Sequence, residues 1–498
     1  MAKRETWTGV FIPIPMEEHK QSKYWLLPLS ACKILLAHLP QLDYSHSMSR
    51  QAKLMTTGPI QGHIIRFAIP IFLGTLFQQL YNTADSLVVG NFVGTEALAA
   101  ITSCGSLIFL LIGLVQGVFV GAGVVISTFY GAGDLHSVRE AVHTSIAFSL
   151  VSGLLLTIIG YFFSPVILTW MGTPADVFDE AEIYVHIYFL GIGAVVLYNC
   201  AAGILQAVGD SRHPLYFLII AAALNIVLDL VFVVGFKMGI AGTAYATIIS
   251  QTVSVVLSFR LLLTSREIVR VELRHIGFKK GFLSKILRLG IPSGIQNSVT
   301  SLANVFVQSS VNLFGATAMA GTGAFMRIQG FALIPITSFA LAMTTFTGQN
   351  IGAREHERVK KGIRFGIIFA MILSESIGIL LYLYAAPLVA LFSQNPDIIA
   401  FGVQKSRISS LFLFALALSH VMAGLFRGAG KSMVPMVVML TFWCIVRVLY
   451  IKIGLLFLMD IRVVYWAHPI TWLLSAMVFI IYYFSVDWMK TKETLPPL

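Results

Sequence analysis

The chain has 498 residues, of which 57% are hydrophobic and only 11% are charged, a balance that leaves too little polar surface for a soluble fold of this length. Its formal net charge is +11, but the Lys and Arg residues lie between long hydrophobic runs rather than on one helix face or in one tail. The charge therefore indicates membrane orientation, and we expect no nucleic-acid partner. The composition predicts an all-α integral membrane protein.

Residues 1–54 differ from the rest of the chain. They contain four prolines and one hydrophobic stretch, WLLPLSACKILLA, which Lys33 interrupts. This stretch is too short to span a bilayer, and no small-residue cleavage site follows it. We interpret the segment as a flexible N-terminal tail, or as the product of an upstream start used in place of Met48 or Met55.

Twelve hydrophobic runs follow, each long enough to cross a hydrocarbon layer of roughly 30 Å as a helix rising about 1.5 Å per residue. The first half of the chain is predicted to form helices at 64–90, 97–130, 138–163, 181–208, 214–236 and 240–263. The second half is predicted to form helices at 284–310, 316–348, 361–385, 401–427, 433–457 and 463–487. The resulting domains are an N-lobe at 55–264, a basic cytoplasmic linker at 265–283, a C-lobe at 284–490 and a C-terminal tail at 491–498.

The two halves are copies of one six-helix unit. FAIP at 67–70 corresponds to LGIP 222 residues later, and GAGDLHSVREAV from Gly131 corresponds to GAREHERVKKGI from Gly352. The second spacing is 221 residues, and a spacing of 221–222 held across a whole half is the signature of an internal repeat. Because each copy has an even number of helices, both enter the membrane from the same side. Such parallel repeats enclose a central substrate cavity.

The distribution of Lys and Arg predicts the orientation. One set of loops carries Arg139, Arg212, the basic cluster at 260–288, Arg354, Arg358, Lys360, Lys361, Arg427 and Lys431. The loops on the other side offer only Lys237, Lys405, Arg407 and Arg462. The first side is therefore predicted to be cytoplasmic. We expect the protein to lie in the plasma or inner membrane, with both termini in the cytoplasm.

Ionisable side chains inside apolar helices cost several kcal/mol unless they face a cavity or a partner, so each is a functional candidate. Those within the predicted helices are Asp85, Asp229, Arg327, Glu375, His420 and Arg447. Glu375 is expected to neutralise one of the two arginines and so fix helix packing. His420, alone on an apolar helix, is expected to be a packing residue.

Asp85 and Asp229 each lie about nine residues before an outer turn, which places both roughly 13 Å below the outer edge. Asn225 shares the helix face of Asp229, and Thr247 returns to the same depth on the next helix. These four oxygen-bearing side chains form either a Na⁺ site or a pair of carboxyls that holds a proton. The alternative is that Asp229 bonds neighbouring backbone while Asp85 lies in a wet vestibule.

Pro70 lies fifteen residues before Asp85 on the first helix. It removes a backbone hydrogen bond, so the helix can bend there in response to cation binding, or can carry a static kink. We interpret six further side chains as candidates for lining the substrate cavity: Gln78, Tyr81, Asn82, Gln296, Met326 and Arg327.

No soluble-enzyme motif is present: the chain lacks GxxxxGK[ST], HExxH and GxSxG, and its four cysteines form no CxxC pattern. We therefore expect a transporter and not an enzyme, with no cofactor beyond the coupling ion, H⁺ or Na⁺. The expected partners are small organic substrates and the lipid bilayer, with the monomer as the functional unit.

Three stretches carry a family resemblance. They are AIPIFLGTLFQQLYNTADSLVVGNFVGTEALAA at 68–100, LNIVLDLVFVVGFKMGIAGTAYATIISQ at 224–251 and FTGQNIGAREHERVKK at 346–361. With two six-helix repeats, the chain resembles the multidrug and toxic compound extrusion (MATE) family over residues 58–490. The resemblance implies alternating-access antiport, in which a cation gradient drives export of amphipathic, often cationic compounds.

The resemblance also implies residue roles. The cation-coupling positions of the branch with an N-lobe site fall on Asp85, Asn225, Asp229 and Thr247. The bending proline falls on Pro70, and the aromatic residue near the site falls on Tyr81. Acids that other branches carry on the seventh and tenth helices are missing here, where Gln296 and His420 stand, so no C-lobe coupling site is expected.

Two other functions fit the same layout. A flippase for a lipid-linked substrate would need a cavity rich in Arg and Lys, for which this chain offers mainly Arg327 and Arg447. A membrane enzyme or channel would need paired catalytic groups or a repeated filter sequence, and neither is visible.

Overall fold

A computed structural model describes residues 54–489 except 171, 172, 174, 266 and 267. The predicted tails at 1–54 and 491–498, apart from residue 54, lie outside these described residues. Within them every long element is an α-helix. The all-α fold class is confirmed.

Twelve long helices, which we number in chain order, follow one another. The first six are α1 Ile60–Phe92, α2 Thr95–Gly131, α3 Leu135–Trp170, α4 Ala175–Leu190 with Ile192–Ala207, α5 Arg212–Gly235 and α6 Gly239–Thr264. The second six are α7 Lys280–Asn312, α8 Ala316–Gly352, α9 His356–Leu383, α10 Pro396–Gly428, α11 Met433–Phe457 and α12 Ile461–Ser485. A short helix, Ala385–Ala390, lies between α9 and α10.

Ten of these helices are long and apolar enough to cross a membrane, and α4 makes an eleventh if its two parts count as one span. The remaining helix, α7, has 33 residues but begins with several basic side chains. Many helices extend beyond the predicted apolar runs. For example, α3 ends at Trp170 rather than near 163, because hydrogen bonding continues past the most apolar segment.

The prediction of one unbroken helix over 181–208 is wrong. The two parts of α4 meet at Gly191 with a bend of 48°. A side chain at Gly191 would overlap Ile248 on α6, so close helix packing occurs at the break. This contact joins residues far apart in sequence, and hydrophobic periodicity does not reveal it.

Two helices contain a turn of π-helix next to an ionisable residue. In α5 the π-helix Leu230–Gly235 follows Asp229 directly, and in α11 the π-helix Leu440–Val446 precedes Arg447. Such wide turns are frequent at functional sites because they redirect side chains and free backbone groups.

The two largest hydrophobic cores correspond to the two halves, and α1 contributes to both. The core of the first half is built mainly from α2 to α6, with Val89 of α1 and Ile286 and Leu289 of α7 added. The core of the second half contains Ile64, Phe67 and Ile71 from the start of α1. Further along α1, Gly74 packs against Leu218 of α5. Helix α1 therefore passes from one core to the other.

The halves meet along a seam between α2 and α7, which we call the glycine seam. A side chain on Gly117 would overlap the backbone of Gly294, and one on Gly121 would overlap that of Gly290. On each helix the two glycines are four residues apart, the GxxxG spacing that allows two helix backbones to approach closely.

The end of the bundle that carries the α2–α3 turn, the linker and the α8–α9 turn is rich in Lys and Arg, and we call it the basic end. Here the side-chain amide of Gln349 on α8 donates to the carbonyl of Ala207, and its oxygen accepts from the Met55 nitrogen, both at 2.9 Å. Backbone atoms of Gly131 and Gly352 also lie against the opposing helix. The two halves are therefore in direct contact at the basic end.

Candidate functional site

Asp85 on α1 and Asp229 on α5 are buried in the first half, with 8% and 0% of their surface exposed. Their carboxyl groups lie within hydrogen-bonding reach of each other. Among the described residues, no donor reaches Oδ1 of Asp85 or either oxygen of Asp229. Two carboxyls cannot share a hydrogen bond without a proton, so the pair requires a proton or another cation between its oxygens.

Asn225 and Thr247 supply neutral oxygens near this pair. Asn225 lies one turn before Asp229 on α5, and within the described part of the chain neither atom of its buried amide has a partner. The Thr247 hydroxyl donates to the carbonyl of Thr243 at 3.0 Å, which leaves its lone pairs available. Helix α5 packs against both α1 and α6, so the elements that carry all four predicted residues are neighbours.

The donor set suits a hard cation or a proton. Carboxylate, amide and hydroxyl oxygens are ligands that hard cations prefer. Across the described ranges, no group of three or more His, Cys, Asp or Glu side chains comes together to hold a metal ion. The orphaned amide of Asn225 is the observation that fits an additional ligand best, because a buried amide without a partner is costly.

Tyr81 and Gln251 form a polar connection beside the acid pair. Tyr81 lies one turn before Asp85, and its hydroxyl accepts a hydrogen bond from the Gln251 amide at 3.4 Å. Gln78 also contacts the Tyr81 hydroxyl. Sequence reasoning missed Gln251, although it lies one turn after Thr247 on the same face of α6.

A cavity of about 310 Å³ lies between α1, α2, α4, α5 and α8. Its polar side chains are neutral, and they are Thr75, Gln78, Gln116, Ser127, Tyr198, Asn199, Gln206, Ser211, Thr344 and Thr345. Pro70, Ile71 and Phe119 belong to its apolar wall. Because Gln78 lines the cavity and also contacts Tyr81, it connects the cavity to the acid pair.

Of the six predicted cavity candidates, only Gln78 is among the lining residues of this cavity. Tyr81 is buried behind it, and Asn82 is exposed. The Gln296 amide points into the second half, where it donates to the Met439 sulfur at 2.8 Å. Met326 and Arg327 are exposed on α8.

The expected pairing of Glu375 with an arginine is wrong within the described residues. Glu375 accepts a hydrogen bond from the Phe414 nitrogen at 3.2 Å, where the 3₁₀ turn inside α10 leaves this backbone donor free. Arg447 instead donates to the Thr471 hydroxyl on α12. The packing role expected for His420 is confirmed, because its ring lies edge-on against Trp443 at 5.4 Å between centroids.

The sequence assigned Lys405 to a loop on the sparsely charged side. In the structure this residue lies inside α10. Helix α10 begins earlier than predicted, at Pro396, where the Asn395 side chain caps it by accepting from the Asp397 nitrogen. Lys405 therefore lies more than two turns inside the helix and is only 2% exposed.

Comparison with known proteins identifies the family. The MatE family model matches twice, over residues 70–231 and 292–453, which confirms the repeat. The probable multidrug resistance protein YoeA of Bacillus subtilis is 31% identical over 382 residues, or 75% of this chain and 82% of the relative.

Solved structures of transporters have the same fold as this chain. An outward-facing multidrug resistance MATE transporter of the MOP superfamily is 25% identical, with a TM-score of 0.83 over 89% of this chain and 99% of that one. A MOP superfamily transporter from Pyrococcus furiosus, described as having a binding pocket of reverse polarity, is also 25% identical, with a TM-score of 0.84 over 89% and 99%. The doubled family match, the conserved architecture and the identity to YoeA show that this chain is a membrane transporter of the MATE family and not an enzyme.

Proposed function

We propose that the protein is a cation-coupled antiporter that exports amphipathic, often cationic organic compounds and uses H⁺ or Na⁺ at Asp85, Asn225, Asp229 and Thr247. The observation that carries this proposal is the buried pair of facing carboxyls, of which three of the four oxygens have no donor among the described residues. A proton or metal cation bound between the carboxyls relieves their repulsion, so binding and release of that cation are energetically linked to the local structure.

The connection between the acid pair and the cavity supports coupling. Tyr81 contacts Gln78, which lines the cavity, and Pro70 lines the same cavity on the same helix. Because Pro70 lacks an N–H group, α1 has one hydrogen bond fewer at this level and bends there at low cost. A cation at Asp85 therefore acts on the helix that forms one wall of the substrate cavity.

The lining of the cavity supports the substrate class. Amides and hydroxyls are interspersed with apolar side chains, which suits an amphipathic molecule without strict geometric demands. The described lining residues include no Lys or Arg, the side chains that a pyrophosphate-bearing lipid substrate would need. The acid pair nearby favours cationic over anionic substrates.

We place the protein in a plasma or inner membrane, with the basic end and both termini in the cytoplasm. The reason is that the cytoplasmic loops of membrane proteins carry an excess of Lys and Arg. Contact between the halves at that end then corresponds to a state closed to the inside. Alternating access requires the seam at the basic end to open when the opposite end closes.

The decisive experiment is efflux of the cationic dye ethidium from proteoliposomes under imposed pH or Na⁺ gradients. Native protein is compared with Asp85→Asn, Asp229→Asn and the matched control Glu375→Gln, which neutralises a membrane acid outside the site. We expect efflux in the native protein and in the control, and its loss in both Asn variants. The effective gradient identifies the ion.

Other results point elsewhere. Full efflux in both Asn variants would locate coupling outside the acid pair. The absence of dye efflux from native protein under either gradient would contradict the multidrug proposal and favour a lipid-like substrate.

A further inference from the structure

Three basic side chains come together inside the second half, and we call them the C-lobe basic cluster: Lys405 on α10, Arg447 on α11 and His468 on α12. Lys405 and Arg447 are each only 2% exposed. Lys405 lies nine residues after the start of α10, Arg447 ten before the end of α11, and His468 seven after the start of α12. All three therefore lie roughly 10–15 Å below the end opposite the basic end.

Helix α12 contacts both α10 and α11, and the three side chains lie within electrostatic range of one another. Within the described ranges, no carboxylate forms an ion pair with any of them, and Glu375, the membrane acid of α9, is hydrogen-bonded to the Phe414 nitrogen instead. The cluster therefore combines the buried Arg447 guanidinium with two further basic groups, without an acid beside them.

The neutral contacts of the cluster leave donors free. Arg447 donates from Nε and Nη2 to the single Thr471 hydroxyl, at 3.3 and 3.1 Å, and its guanidinium lies 5.7 Å from the centre of the Trp443 ring. The Lys405 ammonium lies over the face of Tyr465, 5.5 Å from the centre of its ring. The buried Nδ1 of His468 has no partner among the described residues.

This arrangement is costly without a further ligand. A guanidinium remains charged in proteins, and an uncompensated charge away from water costs several kcal/mol. Arg447 and Lys405 together carry eight N–H donors, of which a hydroxyl and two aromatic faces satisfy only a few. An anion placed between the three side chains would supply both the missing charge and the missing acceptors.

The repeat shows that this polarity is specific to the second half. The repeats align with a spacing of 221–222 residues, so Arg447 corresponds to Asn225 or Ile226, whereas Asp85 corresponds to Val307 and Asp229 to Tyr450 or Ile451. The first half thus has two acids where the second has none, and the second half has a base where the first has a neutral residue.

We propose that the C-lobe basic cluster binds a small inorganic monovalent anion, for which chloride is the probe. The ligand is small because Lys405 and Arg447 are almost fully enclosed by the protein. This anion site goes beyond the proposed cation-coupled export, since it lies in the other half and its occupancy does not depend on the acid pair.

The test is the melting temperature of the purified full-length protein in detergent as sodium chloride replaces sodium gluconate at constant ionic strength. Native protein is compared with Lys405→Met and with Lys452→Met, a matched control that removes an exposed lysine five residues after Arg447. We expect chloride to raise the melting temperature saturably, by about 2 °C, in native protein and in the control. We expect this rise to be lost in Lys405→Met.

A second measurement keeps the test decisive if Lys405→Met fails to fold. Broadening of the ³⁵Cl NMR line by native protein, removed by bromide and weakened in Arg447→Lys, would support the site. Equal chloride effects in native protein and Lys405→Met would overturn it, as would the absence of both a stability shift and line broadening in native protein. Stabilisation by acetate but not by chloride would overturn the inorganic-anion proposal and show that the cluster binds a carboxylate. None of these measurements depends on transport. A negative result would therefore overturn the anion site and leave the antiport proposal untouched.

Discussion

At the scale of single residues, the acid pair combines a stability cost with a proposed function. Asp229 has no exposed surface and faces a second carboxyl, an arrangement that a protein selected only for stability would avoid. The orphaned amide of Asn225 adds to this cost. Sites that violate local rules of burial are often functional, and the violation is here concentrated on neighbouring turns of α1 and α5.

The substitution Asp229→Asn is expected to abolish gradient-driven efflux while leaving the protein at least as stable as the native form. The reason is that Asn removes one of two facing charges from a buried site, a change worth about 1–3 kcal/mol. Melting temperatures in sodium-free buffer at pH 8 measure the effect. Asp397→Asn, at an exposed acid near the start of α10, serves as the control and should leave stability unchanged. A marked loss of stability in Asp229→Asn would show that the acid has a structural role.

Residue positions along helices were predictable where simple counting applies. Counting from the turns placed Asp85 and Asp229 at one depth, and the structure brings their carboxyls together. Counting failed for Lys405, because the start of α10 depends on the cap at Asn395, and it failed for Glu375, whose partner is a backbone nitrogen. Neither interaction leaves a periodic trace in the sequence.

At the scale of helices, α1 carries both the bending residue and one of the acids. Its proline removes the hydrogen bond that residue 70 would donate to the carbonyl of Arg66. An equivalent proline, Pro292, lies inside α7, so the two repeats offer a comparison within one molecule.

Pro70→Ala is expected to restore this hydrogen bond, stiffen α1 and lower ethidium efflux several-fold. Stability should rise, since the penalty of a proline in a helix interior is about 3 kcal/mol before tertiary compensation. Initial efflux rates and melting temperatures check both parts. Pro292→Ala is the matched control, expected to leave coupling intact. Unchanged efflux in Pro70→Ala would show that bending at this residue is not required.

The glycine seam makes a prediction about packing. Gly294→Val would drive its side chain into the backbone of Leu114, so we expect the melting temperature to fall by about 5 °C or more. Gly281→Val on the same helix is the control, because a side chain there meets no atom within 4 Å. Equal melting temperatures for the two variants would contradict the closeness of the seam.

Helix existence was predictable because long apolar runs allow few alternatives in a membrane. Helix detail was not. The bend of α4 occurs where Gly191 meets Ile248, and the π-helix of α11 lies where no glycine or proline marks it. Such features depend on contacts between distant parts of the chain.

At the scale of the whole molecule, the two halves share α1 and are tied together at the basic end. Arg358 on α9 donates to the carbonyls of Met55, Thr57 and Gly58, just before α1 begins. The sequence assigned this segment to the N-lobe because it precedes the first repeat, but its hydrogen bonds reach the second half.

Arg358→Ala is therefore expected to release residues 55–60 from α9. Hydrogen exchange of these amides should become at least about tenfold faster, since charge-assisted hydrogen bonds contribute about 1.5–3 kcal/mol. Lys361→Ala, at an exposed cation on the same helix, should leave exchange unchanged. Equal protection of these amides in Arg358→Ala and native protein would show that other contacts hold the segment.

The sharing of α1 also has a consequence for biogenesis. The ribosome delivers α1 first, yet Ile64, Phe67 and Ile71 find their core partners on helices made hundreds of residues later. The first helix to be inserted therefore cannot complete its packing until α8 and α9 of the second repeat have been made. Until then an apolar face of α1 remains in contact with lipid or with the insertion machinery. The newly synthesised first half is therefore a partly packed folding intermediate and not a complete domain.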